Sequence, residues 1–235
     1  VRNTSDLNVV FVGCGGTFFM GMPYFKVLMR RYDPRRVLFV DPDKVLGKNQ
    51  NRQWPHKGSR GEFKSLVATS EFDLGCHYGL SFREFIRSPV EDFLPGDVLL
   101  VVNVDNDEAR LEVREWVKER PGWAGMVVSG CEANYGQAYW GAWKNGVAIH
   151  DWRMLHKDVG REEEVEQGHT CMPQTAEANA LTGVLAGLAL ADALACYEGD
   201  RSFSYTHSRE YYWSMDALKR VKSWTLEVVR QGGGR

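Results

Sequence analysis

Little in this chain assigns it at first sight, and each scarcity closes off a class. Its five cysteines, at positions 14, 76, 131, 171 and 196, are odd in number and include no Cys-x-x-Cys pair. Neither a structural zinc site nor a disulfide framework is indicated, and a reducing cytoplasm is the simplest home. The formal charge is only −2 over 235 residues, which gives no electrostatic case for a nucleic-acid partner or an anionic membrane. Residues 1–6 are polar and run straight into an apolar segment, leaving no room for a signal peptide. One run, 178–197, is long enough to span a bilayer, but it carries Asn179 and Asp192 and is rich in Ala and Gly. It reads as a core helix, and the G-x-x-x-G spacing of Gly183 and Gly187 predicts close approach to a sheet or another helix.

With 43% hydrophobic and 26% charged residues, a chain of this length buries a substantial core without metal or disulfide. One α/β domain over residues 1–235 is expected. The apolar run from Asn8 breaks into Gly13, Gly15 and Gly16, and helical spacing follows to about Arg31. Such a turn is either a bare turn or an anion site, in which helix-start amides and the positive dipole end face phosphate. A second buried strand, 36–40, ends in Asp41, where a ribose is read in Rossmann arrangements, and this favours the anion site. Phe18 stands where a third glycine would let helix and strand pack closely. The helix is therefore expected farther out, which suits a mononucleotide better than a dinucleotide.

Asn49, Arg52 and Gln53 follow within one loop. Packing requires none of them there, so a ligand explains them better. Lys64 lies near the start of a short helix over 62–69, where a cation opposes the dipole. It is either solvated or beside a phosphate.

Further along, 75–80 reads as a strand, 81–93 as a helix interrupted at Pro89, and 97–104 as the most apolar strand, ending in Asp105. Asp105 either projects into the crevice at the strands' carboxyl ends or caps the helix 108–119. A strand 123–129 and a hairpin pairing 137–143 with 147–149 around Asn145 and Gly146 turn the sheet antiparallel. Residues 151–170 are charged and read as a crossover loop. Pro173 opens the apolar helix to Tyr197; strands near 203–206 and 210–213 and a helix 215–230 follow, before a disordered tail at 231–235.

In order and spacing, several groups resemble the ThiF, MoeB and ubiquitin-activating-enzyme family of adenylyltransferases over residues 8–197. They are Gly13, Cys14, Gly15 and Gly16; Val40, Asp41, Pro42 and Asp43; Asn49, Arg52 and Gln53; Lys64; Val104, Asp105 and Asn106; Gly136 and Gln137; and Cys171 ahead of a helix. The Asn-x-x-Arg-Gln element is the most specific. The resemblance implies a Rossmann-like doubly wound sheet with parallel strands followed by antiparallel ones, flanking helices, and adenylation of a carboxylate by ATP with Mg²⁺. The substrate implied is a ubiquitin-like or sulfur-carrier-like small protein with a Gly-Gly end, and the implied assembly is a homodimer. On this view Gly13, Gly15 and Gly16 cradle phosphate, Asp41 binds ribose, and Asn49, Arg52 and Lys64 neutralise the phosphates. Gln53 orients phosphate or shapes the loop, and Asp105 holds the metal.

Cys171 has two readings: an acceptor of the activated acyl group as a thioester, or a small buried hydrophobe. Cys131 and Cys196 read as buried hydrophobes. The chain departs from the family pattern at Phe18, in a short arm that leaves only Arg2 before the first strand, and in the missing zinc-binding pairs. A catalytically silent partner or scaffold subunit is one alternative. A nicotinamide-dependent oxidoreductase is another, but it leaves Asn49, Gln53 and Lys64 without a task.

Overall fold

A computed structural model describes residues 3–49, 59–89, 94–151, 174–199 and 210–214. In chain order the elements are β1 Asn8–Val12, α1 Gly16–Tyr32, β2 Arg36–Val40, α2 Lys64–Phe72, β3 Cys76–Tyr78, α3 Phe82–Arg87 and β4 Val98–Val102. They continue with α4 Asp107–Glu119, β5 Trp123–Cys131, β6 Tyr135–Lys144, β7 Val147–His150, α5 Ala176–Glu198 and β8 Tyr211–Ser214. One sheet takes the order β3-β2-β1-β4-β5-β6-β7, with β8 also on β6. The first five strands in that order are parallel, and β6, β7 and β8 pair antiparallel.

The apolar runs explain this order. β1 and β4 are buried at every residue, as strands covered on both faces must be. Alternation then divides their side chains between two cores. Val9 and Phe11 of β1 join Leu99 and Val101 of β4 under α1, α2 and α5. Val10 and Val12 join Leu100 and Val102 under α3 and α4. Because β2 and β4 flank β1 on opposite sides, the winding reverses beside β1. A crevice opens there at the strands' carboxyl ends.

Phe18 fills the space a close helix would have taken. It is fully buried, edge-on to Phe11 at 5.3 Å and to Phe39 at 5.7 Å, and stacked on Phe72 at 6.1 Å. Each such burial is worth about 1.5–3 kcal/mol. The glycines that permit close approach act instead between helices. A methyl group on Gly183 would lie 2.6 Å from the Gly21 backbone nitrogen, so α5 packs directly on α1. α5 is long and apolar enough to cross a membrane, and here it lies against α1, β5 and β6.

Local chemistry sets the boundaries. α3 stops at Arg87, short of the expected 93, because Ser88 precedes Pro89 and such a residue is biased away from helix; residues 90–93 lie outside the described set. Thr175 caps α5, its hydroxyl accepting from the Ala178 N–H at 3.1 Å. Asn145 (φ 50°) and Gly146 (φ 79°) form the left-handed pair that a tight hairpin needs. The expected strand at 210–213 is β8. The crossover loop beyond Asp151, Pro173, the strand at 203–206, the helix 215–230 and the tail 231–235 lie outside the described residues.

Candidate functional site

The glycine turn is tied to β2 through Asp41. Gly13 takes φ +83° and its N–H donates to the Val40 carbonyl at 2.9 Å. The Cys14 N–H donates to Asp41 Oδ2 at 2.6 Å, and the Asp43 N–H donates to Oδ1 at 2.8 Å. Asp41 is only 4% exposed. Burial pushes its carboxyl above the ordinary carboxylate range, against the opposing pull of Lys64 and the two backbone donors. The residue expected at a ribose therefore also holds the turn in shape. Each oxygen keeps a lone pair for a further donor.

Lys64 is not the solvated lysine that its position allowed. It is 7% exposed, its Nζ donates to Asp43 Oδ2 at 2.8 Å, and its N–H donates to the Asp43 carbonyl at 2.8 Å. That ion pair offsets the conflict between a cation and the start of α2. The Asp43 carboxylate is itself 67% exposed, so the lysine is held at the edge of open space.

Asp105 does not cap α4. That role belongs to Asn106, whose Oδ1 accepts from the Ala109 N–H at 2.7 Å. Asp105 is exposed, and among the described residues it has no hydrogen-bonding or ionic partner.

These groups line one cavity of about 510 Å³ at the winding reversal, a volume typical of small-molecule sites. Gly13, Gly15, Gly16, Asp41, Lys64 and Asp105 all border it. Gly15 precedes α1 without a side-chain cap, and a Cβ built on it meets nothing within 4 Å. Gly16 differs, since its Cβ would lie 2.3 Å from Asn179 Nδ2. Gly15 thus leaves room for a ligand at the helix start, whereas Gly16 leaves room for α5.

Sequence reasoning missed several lining residues: Asp43, Ser81, Arg83, Asn103, Ser129 and Gln174. Only their places at strand and helix ends hinted at them. Cys131, expected as a buried hydrophobe, is half-buried and borders the cavity. Burial raises its thiol pKa, so the proton is retained near neutral pH. Cys196 is buried as expected.

The described lining is rich in acid: Asp41, Asp43, Asp105, Glu108 and Glu112 face it. Its two cations are both engaged, Lys64 with Asp43 and Arg83 with Glu108 and Glu112. Asn49 ends the 3-10 turn Gly47–Asn49, and its side chain is outside the described set. Arg52, Gln53 and Cys171 also lie outside the described residues.

No protein-family sequence model and no curated protein sequence matches the chain. Solved structures do. PaaA superimposes with TM-score 0.58 at 14% identity, covering 91% of this chain and 62% of its own. E. coli MccB solved with ATP gives 0.57 at 15%, covering 90% and 62%. The microcin C7 biosynthetic enzyme MccB in complex with N-formylated MccA gives 0.57 at 15%, covering 90% and 63%. The chain thus spans under two thirds of the length of each. With its parallel-then-antiparallel sheet and a cavity beside the glycine turn, the protein has the ThiF/MoeB-like fold.

Proposed function

We propose that this chain is an ATP-dependent adenylyltransferase that activates the C-terminal carboxylate of a peptide or small protein. One observation carries the reading: Gly15, Asp41, Lys64 and Asp105 border a single cavity at the winding reversal of a ThiF/MoeB-like sheet. MccB, solved with ATP and with MccA, supports a nucleotide and a peptide as the two ligands.

In the reaction a carboxylate oxygen bonds to the α-phosphorus, the bond from that phosphorus to the bridging oxygen breaks, and pyrophosphate leaves. The amides at the start of α1 face the phosphate oxygens past Gly15. Asp41 accepts a ribose hydroxyl with the lone pairs its backbone donors leave free. Lys64 is shared between Asp43 and phosphate, and Arg52 with Asn49 and Gln53 adds charge and amide contacts from the following loop. Asp105 fits Mg²⁺, being an exposed carboxylate with no partner among the described residues; the described residues hold no cluster of three or more metal-ligating side chains. One carboxylate completed by phosphates is the usual way this ion is held, and bound there it neutralises charge on the leaving pyrophosphate.

The finer reading is a ubiquitin-like or sulfur-carrier-like substrate ending in Gly-Gly, a homodimer, and a cytoplasmic setting, the last supported by the free thiols of the described cysteines. Transfer to Cys171 completes it, leaving the acyl group as a thioester and AMP as product.

The acid-rich lining with both described cations paired favours a second reading, a catalytically silent partner subunit. Titration calorimetry separates the two. Mg·ATP binding that is lost in Asp41→Ala supports the enzyme, and no nucleotide binding at all supports the silent subunit. Binding of NAD⁺ in preference to ATP would point to a nicotinamide-dependent oxidoreductase.

A further inference from the structure

α5 is apolar on the side that its own fold leaves uncovered. Leu181, Val184, Leu188 and Ala191, at helical spacing, are each only partly buried, and no charged residue lies on that stripe between Glu177 and Glu198. α1 continues the same face, with Tyr24 50% and Val27 65% exposed. A helix that is apolar all round is normally covered all round.

The two helices run side by side in the same direction: Gly16 meets Asn179, Gly21 meets Gly183, and Tyr24 meets Gly187. Their ends therefore carry opposite charge. Glu177 lies in the first turn of α5, at one end of the face, and Arg30 and Arg31 lie in the last turn of α1, at the other. None of the three is ion-paired among the described residues. A twofold axis perpendicular to the helices sets the pair antiparallel on its copy, so that each Glu177 end meets an Arg30–Arg31 end while the apolar stripes meet at the centre. α5 has 23 residues, about 35 Å of helix, and two helices side by side make a face of roughly 700 Å², near the ~800 Å² per partner of a stable interface.

We infer that the α1/α5 face docks a second copy of this chain, antiparallel, with Glu177 of each copy paired to Arg30 and Arg31 of the other. A membrane surface fits less well, since interfacial helices carry a basic rim and this rim has one sign at each end. The inference gives a surface to the homodimer named above. Its test reads mass and not nucleotide, so it and the adenylation reading stand or fall separately.

Sedimentation velocity at micromolar protein should show a dimer. Val27→Asp, at a position exposed enough to spare the fold, should weaken it at least tenfold. Glu177→Lys alone, and Arg30→Glu with Arg31→Glu, should each weaken it, while all three in one chain should restore it. Thermal melts check that each variant is folded. A monomeric wild type, with or without binding to anionic vesicles, overturns the inference. So does a dimer insensitive to Val27→Asp, or one that the combined exchange fails to restore.

Discussion

Gly15→Val is expected to empty the cavity of nucleotide while leaving the fold intact, and its neighbour Gly16→Ala to do the reverse. Gly15 takes φ −87° and ψ −156°, extended backbone that valine accepts without strain, and its added Cβ meets no protein atom within 4 Å. At a helix N-cap the change from glycine costs about 0.5–1 kcal/mol, offset by roughly 0.4–1 kcal/mol from lost freedom in the unfolded chain. The net effect stays within about 1 kcal/mol, or roughly 2–4 °C in melting temperature for a chain of this size. In the cavity, the isopropyl group stands where phosphate oxygens approach the α1 amides, and a loss of about 1.4 kcal/mol or more raises the Kd for ATP at least tenfold. A methyl on Gly16, by contrast, lies 2.3 Å from the amide of the fully buried Asn179, and such overpacking costs about 1–3 kcal/mol. Calorimetry and thermal melts on both variants give the answer. If folded Gly15→Val binds ATP with wild-type affinity, the helix start is not the phosphate site.

Three further outcomes follow from the same geometry. Asp105→Ala should leave the melting temperature unchanged and lower pyrophosphate exchange by about 100-fold or more, whereas Asn106→Ala should cost about 1 kcal/mol of stability through the lost cap of α4; melts that rank the two the other way would reassign the cap. Gly183→Ala should destabilise by about 1–3 kcal/mol or more, since the new methyl meets the Gly21 backbone and not a movable side chain; an unchanged melt would show that α1 and α5 have room to separate. Burial holds the His150 pKa below its ordinary value, so below about pH 6.5 the unfolded chain binds the extra proton and stability falls with pH down through the folded value. His150→Phe should flatten that part of the curve measured by urea unfolding, and a slope unchanged in the variant would place the proton elsewhere.

The sheet was legible because β1, β2 and β4 are continuous apolar runs, and such runs admit few structures other than buried parallel strands. The glycine turn and Asp41 were legible as a pair for the same reason, as each ends one of those strands. What escaped depends on distance. Lys64 is buried because Asp43, 21 positions earlier, reaches it, and nothing near Lys64 announces that partner. The gap left by Gly16 is filled from α5 by Asn179, 162 residues on from Thr17, to which it also bonds. Asp105 and Asn106 are equally good caps, and only the strand's endpoint decides between them. Cys131 was misread because β5 runs past its buried stretch, and the strand's last residue emerges at the cavity.

The claim that nucleotide sits in the cavity at the start of α1 is tested most directly by hydrogen–deuterium exchange with and without Mg·ATP. The account predicts slowed exchange in the peptides spanning residues 13–19 and 41–45, with the change abolished in Gly15→Val. Protection confined to the separate depression between Arg35 and Tyr78, or none at saturating ATP, would contradict it.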